Sequence, residues 1–383
     1  MTNSSPVRVA VLQRVIPSYR FNLFKLISCA NELDVRFFIG QDIKDSKVKS
    51  STDLSSIIFI IHRTLSFYLF NYLFVWHRGL LSSLRSFKPN VILCEGESNF
   101  LSYFIAILYS KLFNKCTLIH WSLGSVPGAK KSSFLKRRIK SFFLSFFDIY
   151  ISYSSYGKKS LINLGVDPDA VHVVVNVSDT NFYYNYFLNF TGSKDDIKKE
   201  LCLPLMPLAL FVGALDDDKN VDVLLDAFSE RLNNNFALIL VGDGKAKDKL
   251  QTKVLSSNIP NIFFVGHMPR ESISKYFLAC DVFVLPGRGG MVISEAMSFG
   301  LPVILHQADG TEFDLIDNYR NGIILSDGDS DSFLNALNYL FSNPDLLNSM
   351  GRVAQETVVN GYSQEIMASQ ISNIIYNSFN SNS

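Results

Sequence analysis

Residues 282–304 read Val-Phe-Val-Leu-Pro-Gly-Arg-Gly-Gly-Met-Val-Ile-Ser-Glu-Ala-Met-Ser-Phe-Gly-Leu-Pro-Val-Ile, the densest chemistry in this 383-residue chain. A short apolar run, Val282–Leu285, meets a turn holding Gly287, Gly289 and Gly290. A helical pattern follows from Val292 to about Phe299, and a second strand opens at Pro302. Such a turn between strand and helix lets backbone N–H groups approach an anion at the positive end of the helix. Glu295 stands about one turn into that helix, within reach of hydroxyl groups beside the anion. Phosphates at the turn and hydroxyls next to them suit a nucleotide sugar. The same spacing also fits an ordinary β–α–β corner whose glycines only make the bend.

His120 is a second candidate. It ends the run Leu118-Ile-His, and a polar residue at a strand end in an α/β domain is a site candidate. A hydrogen-bonded structural histidine fits the same place. Glu95 and Glu97, in Cys94-Glu-Gly-Glu-Ser98, also follow an apolar run.

The elements needed to position these residues are legible along the chain. Val7–Gln13 is a β-branched run, Phe21–Asn31 has helical spacing, and Val35–Ile39 is a strand again, which makes a βαβ opening with a parallel sheet. Asn90–Cys94, Cys116–His120 and Asp148–Ser152 continue the rhythm of a doubly wound α/β domain. Residues 176–200 turn polar and lose it, which predicts a linker. The rhythm restarts with strands at Leu208–Gly213, Ala237–Gly242 and Ile262–Gly266, and helices at Val221–Phe228 and Ser272–Ala279. Ile323–Leu325 is a last strand, and Tyr362–Phe379 has the spacing of a closing amphipathic helix. The expected fold class is therefore α/β with two Rossmann-like domains, and their cleft is the natural ligand site. The length agrees with two domains.

Bulk properties exclude several classes. A net charge of +1 gives no electrostatic footprint for nucleic acid. Apolar residues at 48% supply real cores and argue against disorder. The five cysteines are scattered and form no C-x-x-C, so they read as reduced thiols of a cytoplasmic protein, without zinc-type spacing. The N-terminus lacks the basic-then-apolar pattern of a signal peptide. Leu65–Trp76 and Phe100–Phe113 come closest to membrane spans, but both fall short of the roughly 18–20 apolar residues required.

Four blocks stand in order in the second half: Leu210-Phe-Val-Gly-Ala-Leu-Asp-Asp-Asp-Lys-Asn-Val through Phe228, Leu238-Ile-Leu-Val-Gly-Asp-Gly244, Ile262-Phe-Phe-Val-Gly-His-Met268, and Cys280–Pro286 through Glu295-Ala-Met-Ser-Phe-Gly-Leu-Pro-Val-Ile304. Together they resemble the family 4 retaining glycosyltransferases of GT-B-type fold, with a surface-polysaccharide subgroup suggested by Pro-Gly-x-Gly-Gly. Asp309–Ile316 and Asn321-Gly322 extend the match. The first half resembles the family more loosely, at Pro17-Ser-Tyr-Arg20 and Val171–Asp179. The resemblance implies an acceptor-binding domain over 1–183, a nucleotide-sugar-binding domain over 184–361, and a C-terminal helix, 362–383, crossing back to the first domain.

The resemblance also implies roles. Lys219 falls where the family binds the diphosphate, and a cation there neutralises the departing nucleoside diphosphate. Glu295 falls where the ribose hydroxyls are held. Gly213, Gly242, His267 and Met268 fall at donor contacts, and His120 at a strand end facing the donor sugar. Tyr19, Arg20 and Glu97 fall on the acceptor side, and Glu95 could touch either substrate. Two positions depart from the family: Ala214 stands where an Arg is usual, and Gly287 where a first Glu is usual. Arg288 is expected to supply the charge that Ala214 lacks, while the N–H groups of Gly290, Met291 and Val292, with Gly289, hold the donor. No catalytic base is assigned. Asp216-Asp217-Asp218 mimics an acidic metal motif but lies within a block matched to a metal-independent fold, so no Mg²⁺, Mn²⁺ or other cofactor is expected.

Lys130–Lys140 holds six cations and runs into Ser141-Phe-Phe-Leu-Ser-Phe-Phe147. A basic face beside aromatic residues suits a helix lying on anionic lipid, and equally a domain helix with one solvated basic face. The expected function is transfer of a sugar from a UDP or GDP donor to a growing, lipid-linked, bacterial-type surface glycan such as O-antigen or capsule. The expected place is the cytoplasm, peripheral on the inner face of the cell membrane. A non-catalytic sugar-nucleotide or glycan-binding protein of the same fold is the alternative, favoured by Ala214 and Gly287.

Overall fold

The computed structural model describes residues 5–43, 49–51, 53–69, 72–95, 100–129, 133–229 and 235–380. The chain divides into two compact units, one of Met1–Ser125, Ala129–Val175 and Gln364–Ser383, the other of Val126–Gly128 and Asn176–Ser363.

The first unit is built on β1 (Val7–Leu12), β2 (Leu33–Gly40), β3 (Phe59–Leu69), β4 (Tyr72–Arg78), β5 (Val91–Glu95), β6 (Thr117–Ser122), β7 (Ile149–Ser152) and β8 (Val171–Val173). They form one sheet in the order β4-β3-β2-β1-β5-β6-β7-β8. Only the β3–β4 pair is antiparallel among the described strands. Successive side chains of a strand point to opposite faces. Val7, Val9 and Val11 of β1 therefore enter one core, and Ala10 and Leu12 the other. A parallel sheet needs both faces covered, which is why its strands read as continuous apolar runs. The helix Gln364–Asn380 covers part of one face, where Met367, Ile371 and Ile375 join Leu23, Phe24 and Ile27 of the helix Ser18–Ser28. The described residues of Leu65–Trp76, a stretch close in sequence to a membrane span, belong to the antiparallel pair β3 and β4, with Leu65 opposite Trp76 and Phe67 opposite Phe74.

The second unit has β9 (Leu208–Val212), β10 (Ala237–Val241), β11 (Ile262–Gly266), β12 (Val282–Leu285), β13 (Val303–Leu305) and β14 (Gly322–Ile324). All pair in parallel, in the order β11-β10-β9-β12-β13-β14. This is the doubly wound order with its reversal between β9 and β12. The reversal places the segments after those two strands side by side, although they are about seventy residues apart in the chain.

Residues 176–200 are not the linker that their polarity predicts. They form the helices Thr180–Leu188 and Lys194–Glu200 within the second unit. Their polar residues are caps. Asp179 accepts from the Phe182 N–H, and Ser193 and Asp196 form a capping box. Tyr183 and Ile197 fill the apolar side of this segment. The second unit thus begins at Asn176, ahead of residue 184. The helix Pro344–Gly361, with Pro344 in its first turn, was also not foreseen. Among the described residues no helix is long and apolar enough to cross a membrane.

Candidate functional site

The site residues of the second unit converge where the sheet order reverses. Beyond β9 and β10, the Gly213 N–H donates to the Val241 carbonyl at 3.0 Å and the Gly242 N–H to the Gly266 carbonyl at 2.8 Å. Gly242 has φ +147°, and a Cβ there would lie 1.8 Å from the Gly213 carbonyl oxygen. Gly242 is therefore fixed by close backbone approach, whereas a Cβ on Gly213 would meet only the Phe211 ring, at 3.3 Å.

Past β12 the approach is closer still. A Cβ on Gly287 would lie 2.6 Å from the Asp218 carbonyl oxygen and 2.6 Å from the Lys219 carbonyl carbon. The Arg288 N–H donates to the Asp218 carbonyl at 3.2 Å, and the Lys219 ammonium donates to the Arg288 carbonyl. The 216–220 loop and the glycine-rich turn are thus pinned together. Gly287 is a packing requirement, since backbone fills the space that a Glu side chain would need. The Arg288 side chain is exposed.

Gly290 precedes the helix Met291–Ser298, whose N-terminus has no side-chain cap. A Cβ on Gly290 would lie 1.9 Å from Asp309 Oδ2. Asp309 Oδ1 accepts from the Thr311 N–H at 3.1 Å and from its hydroxyl at 2.6 Å. A carboxylate therefore rests against the positive end of this helix. Sequence reasoning did not single out Asp309. Its place against Gly290 depends on β13 lying beside β12. Met291 and Val292 are half-buried in the first turn.

Glu295 lies further along the same helix. Its Oε1 accepts from the Ser178 hydroxyl at 2.8 Å, while the Ser178 N–H donates to the Ser294 hydroxyl at 3.0 Å. Burial raises the Glu295 carboxyl above its ordinary value, and the Ser178 hydrogen bond and the Arg270 charge oppose that rise. Arg270 stacks over Phe182 at 3.7 Å and Tyr183 at 4.6 Å and pairs with Asp179 at 3.4 Å. The segment read as a linker therefore orients Glu295, with Ser178 and Tyr183 as positioning residues. The signal that could have found it is the run Ser178-Asp-Thr180, a cap ahead of a helix.

His267 is exposed and Met268 half-buried, both just beyond β11. In the acidic run, Asp216 Oδ1 accepts from the Lys245 N–H at 3.0 Å, and Asp217 and Asp218 are exposed. Among the described residues, no three His, Cys, Asp or Glu side chains gather as a metal site.

In the first unit His120 is not at an open strand end. It is 4% exposed, with its ring 5.0 Å from Phe147 and 6.2 Å from Phe143 and Tyr150. Its Nδ1 lies 3.3 Å from the Ser122 hydroxyl. Burial, with help from Lys140, pushes it down to about 3, so the ring is neutral at physiological pH. The alternation along β6 sends it into the same core as Leu118. This is the structural histidine of the two expectations. Arg20 is also enclosed, its guanidinium 5.0 Å from Trp121 and 5.1 Å from Tyr153. Tyr19 beside it is exposed, and its carbonyl accepts from the Gln364 amide. Glu97 lies outside the described residues, and Glu95 closes β5.

Residues 193–357 match the family model Glycosyl transferases group 1. The matched residues all lie within the second unit. Over 210 residues the chain is 30% identical to the UDP-Gal:α-D-GlcNAc-diphosphoundecaprenol α-1,3-galactosyltransferase of Escherichia coli, a match covering 52% of each chain. The chain spans about half the length, or less, of the curated relatives it matches. Among solved structures, a glycosyltransferase of Rickettsia africae aligns with a TM-score of 0.78 at 14% identity, covering 99% of this chain and 100% of that one. Anabaena HepE, crystallised with UDP, aligns with a TM-score of 0.76 at 16% identity, covering 97% and 100%. The fold is thus that of the GT-B glycosyltransferases, with two parallel-sheet α/β units, as the sequence predicts. Within the matched residues, Lys219, the glycine-rich turn and Glu295 lie at one end of the sheet.

Proposed function

We propose that the chain transfers a sugar, with retention of anomeric configuration, from a UDP or GDP donor to a growing, lipid-linked surface glycan of bacterial type. The observation that carries this reading is the pinned pair of loops after β9 and β12. It sets the Lys219 ammonium on the glycine-rich turn, just ahead of the helix that carries Glu295. Diphosphate is an anion that such a turn and cation accept, and the ribose hydroxyls are donors that a carboxylate accepts. Lys219 and Arg288 balance the departing charge, so the reading needs no divalent metal. His120 has no part in it, because its ring is enclosed. The lipid-linked acceptor is supported by the E. coli relative, whose name gives a diphosphoundecaprenol substrate, and the donor by the UDP complex of HepE. Such an acceptor would hold the protein at the inner face of the membrane.

A thermal-shift screen over UDP, GDP, ADP and CMP tests the donor. A rise in Tm with UDP or GDP is expected, and no shift with any of the four removes the reading. Glu295→Ala is expected to weaken donor binding by about 1.5–3 kcal/mol, the range for a hydrogen bond to a charged group. Glu295→Gln, which can still accept from Ser178, separates the loss of charge from the loss of local structure. Calorimetric titration of the nucleotide sugar checks both, and equal affinity for all three proteins would discard the role.

A further inference from the structure

The first unit carries an apolar surface that its own core does not use. On the helix Ser102–Leu112, Phe104, Leu108 and Leu112 recur every fourth residue and so share a face. On the helix Phe134–Leu144, Leu135, Ile139 and Phe142, spaced four and three apart, also share a face, beside Phe134. All seven are between 45% and 76% exposed. The other sides of these helices are spent on the core, through Tyr103 and Ala106 of the first and Phe143 and Leu144 of the second. The Phe104 ring meets Phe143 edge-on at 5.5 Å, so the two helices are neighbours.

The segment that carries both helices has charge of one sign. From Ser98 to Phe147 the sequence has eight Lys and Arg and no Asp or Glu, in a chain of net charge +1. Lys111 and Lys115 near the end of the first helix, and Lys136, Arg137 and Arg138 in the second, are exposed. Arg85 lies over the Phe113 ring at 4.9 Å. Apolar side chains flanked by exposed cations complement an anionic bilayer. A second copy of this chain fits poorly, because a two-fold contact would set the same cations against each other.

We infer that the helices Ser102–Leu112 and Phe134–Leu144 together form a membrane-docking face for anionic phospholipid. Their Leu, Ile and Phe side chains enter the acyl boundary, and the Lys and Arg side chains meet lipid phosphates. The surface is wider than the basic stretch 130–147, since three of its seven apolar side chains come from the preceding helix. It deepens the proposed function and rests on it for its purpose, which is to bring the protein to a lipid-linked acceptor.

Flotation of the full chain with vesicles tests it. Wild-type protein is expected to rise with phosphatidylglycerol–phosphatidylcholine vesicles at low salt, and to stay behind with phosphatidylcholine alone. Lys136→Ser with Arg138→Ser is expected to weaken binding about thirtyfold, from the usual worth of two cations near a charged surface. Ile139→Glu with Phe142→Glu is expected to abolish it, as is Leu108→Glu with Leu112→Glu on the other helix. Because these side chains are exposed, thermal melts of the variants are expected to match the wild type. Three results overturn the inference: wild-type protein that does not float, variants that float like wild type, or a dimer by light scattering that Ile139→Glu with Phe142→Glu splits. The nucleotide shift, read on the same samples, reports the second unit. Its absence removes the transfer reading and leaves the vesicle result standing.

Discussion

Lys219→Ala is expected to lower kcat/KM for sugar transfer by about a hundred- to a thousandfold, the usual cost of removing one preorganised charge from a developing anion. The size follows from its placement. The ammonium is held against the Arg288 carbonyl, so it is fixed before any donor arrives. A fixed cation costs no reorganisation as the nucleoside diphosphate departs. Alanine would remove the charge and also the contact between the 216–220 loop and the turn. Lys219→Arg keeps a cation and should recover part of the rate. Arg288, which reaches the same turn but is exposed, is expected to matter less, by about tenfold, because solvent screens it. Steady-state kinetics with the nucleotide found by thermal shift decide both. An Arg288→Ala enzyme with wild-type kinetics would remove Arg288 from the site, and a Lys219→Ala enzyme with wild-type kinetics would remove the phosphate reading altogether.

Acid is expected to unfold the first unit through two buried histidines. His77 and His120 are each pushed down to about 3, chiefly by burial, from an ordinary value of 6.5. His77 stacks against His62 with ring centroids 6.0 Å apart, and no hydrogen-bond partner reaches either of its ring nitrogens. Folding therefore keeps both rings neutral, whereas the unfolded chain protonates them below pH 6.5. The unfolded state binds more protons in that window, so stability falls as pH falls through it. Each histidine contributes a slope of about 1.4 kcal/mol per pH unit, or about 3 for the pair. Urea unfolding between pH 7 and about pH 5, above the range where carboxylates dominate, measures the slope. His77→Leu and His120→Leu should each reduce it by about one proton. A stability that stays flat across this window would show that both rings can charge within the fold.

The β-strands were legible because a parallel strand buried on both faces is a local apolar run, as at Leu208–Val212 and Val282–Leu285. The glycine-rich turn was legible for the same reason: its glycines and the helix after it are consecutive. The helices at Thr180–Leu188 and Lys194–Glu200 were lost, because their capping residues look like loop polarity when counted by composition. His120 was misplaced because a strand end in sequence says nothing about which face its side chain takes or what packs there.

By itself, then, the sequence determined two α/β repeats of strand and helix, a glycine-rich turn at 287–290, and a carboxylate at Glu295 one turn beyond it. These follow from periods of two and 3.6 residues, which are local. Only the tertiary structure decided what those residues meet. It set the Asp218–Lys219 backbone where a side chain at 287 would stand, Asp309 against Gly290, and Ser178 on Glu295. The reason is strand order. Which strand lies beside β9 is fixed by the packing of the whole sheet, and no spacing within the chain encodes it.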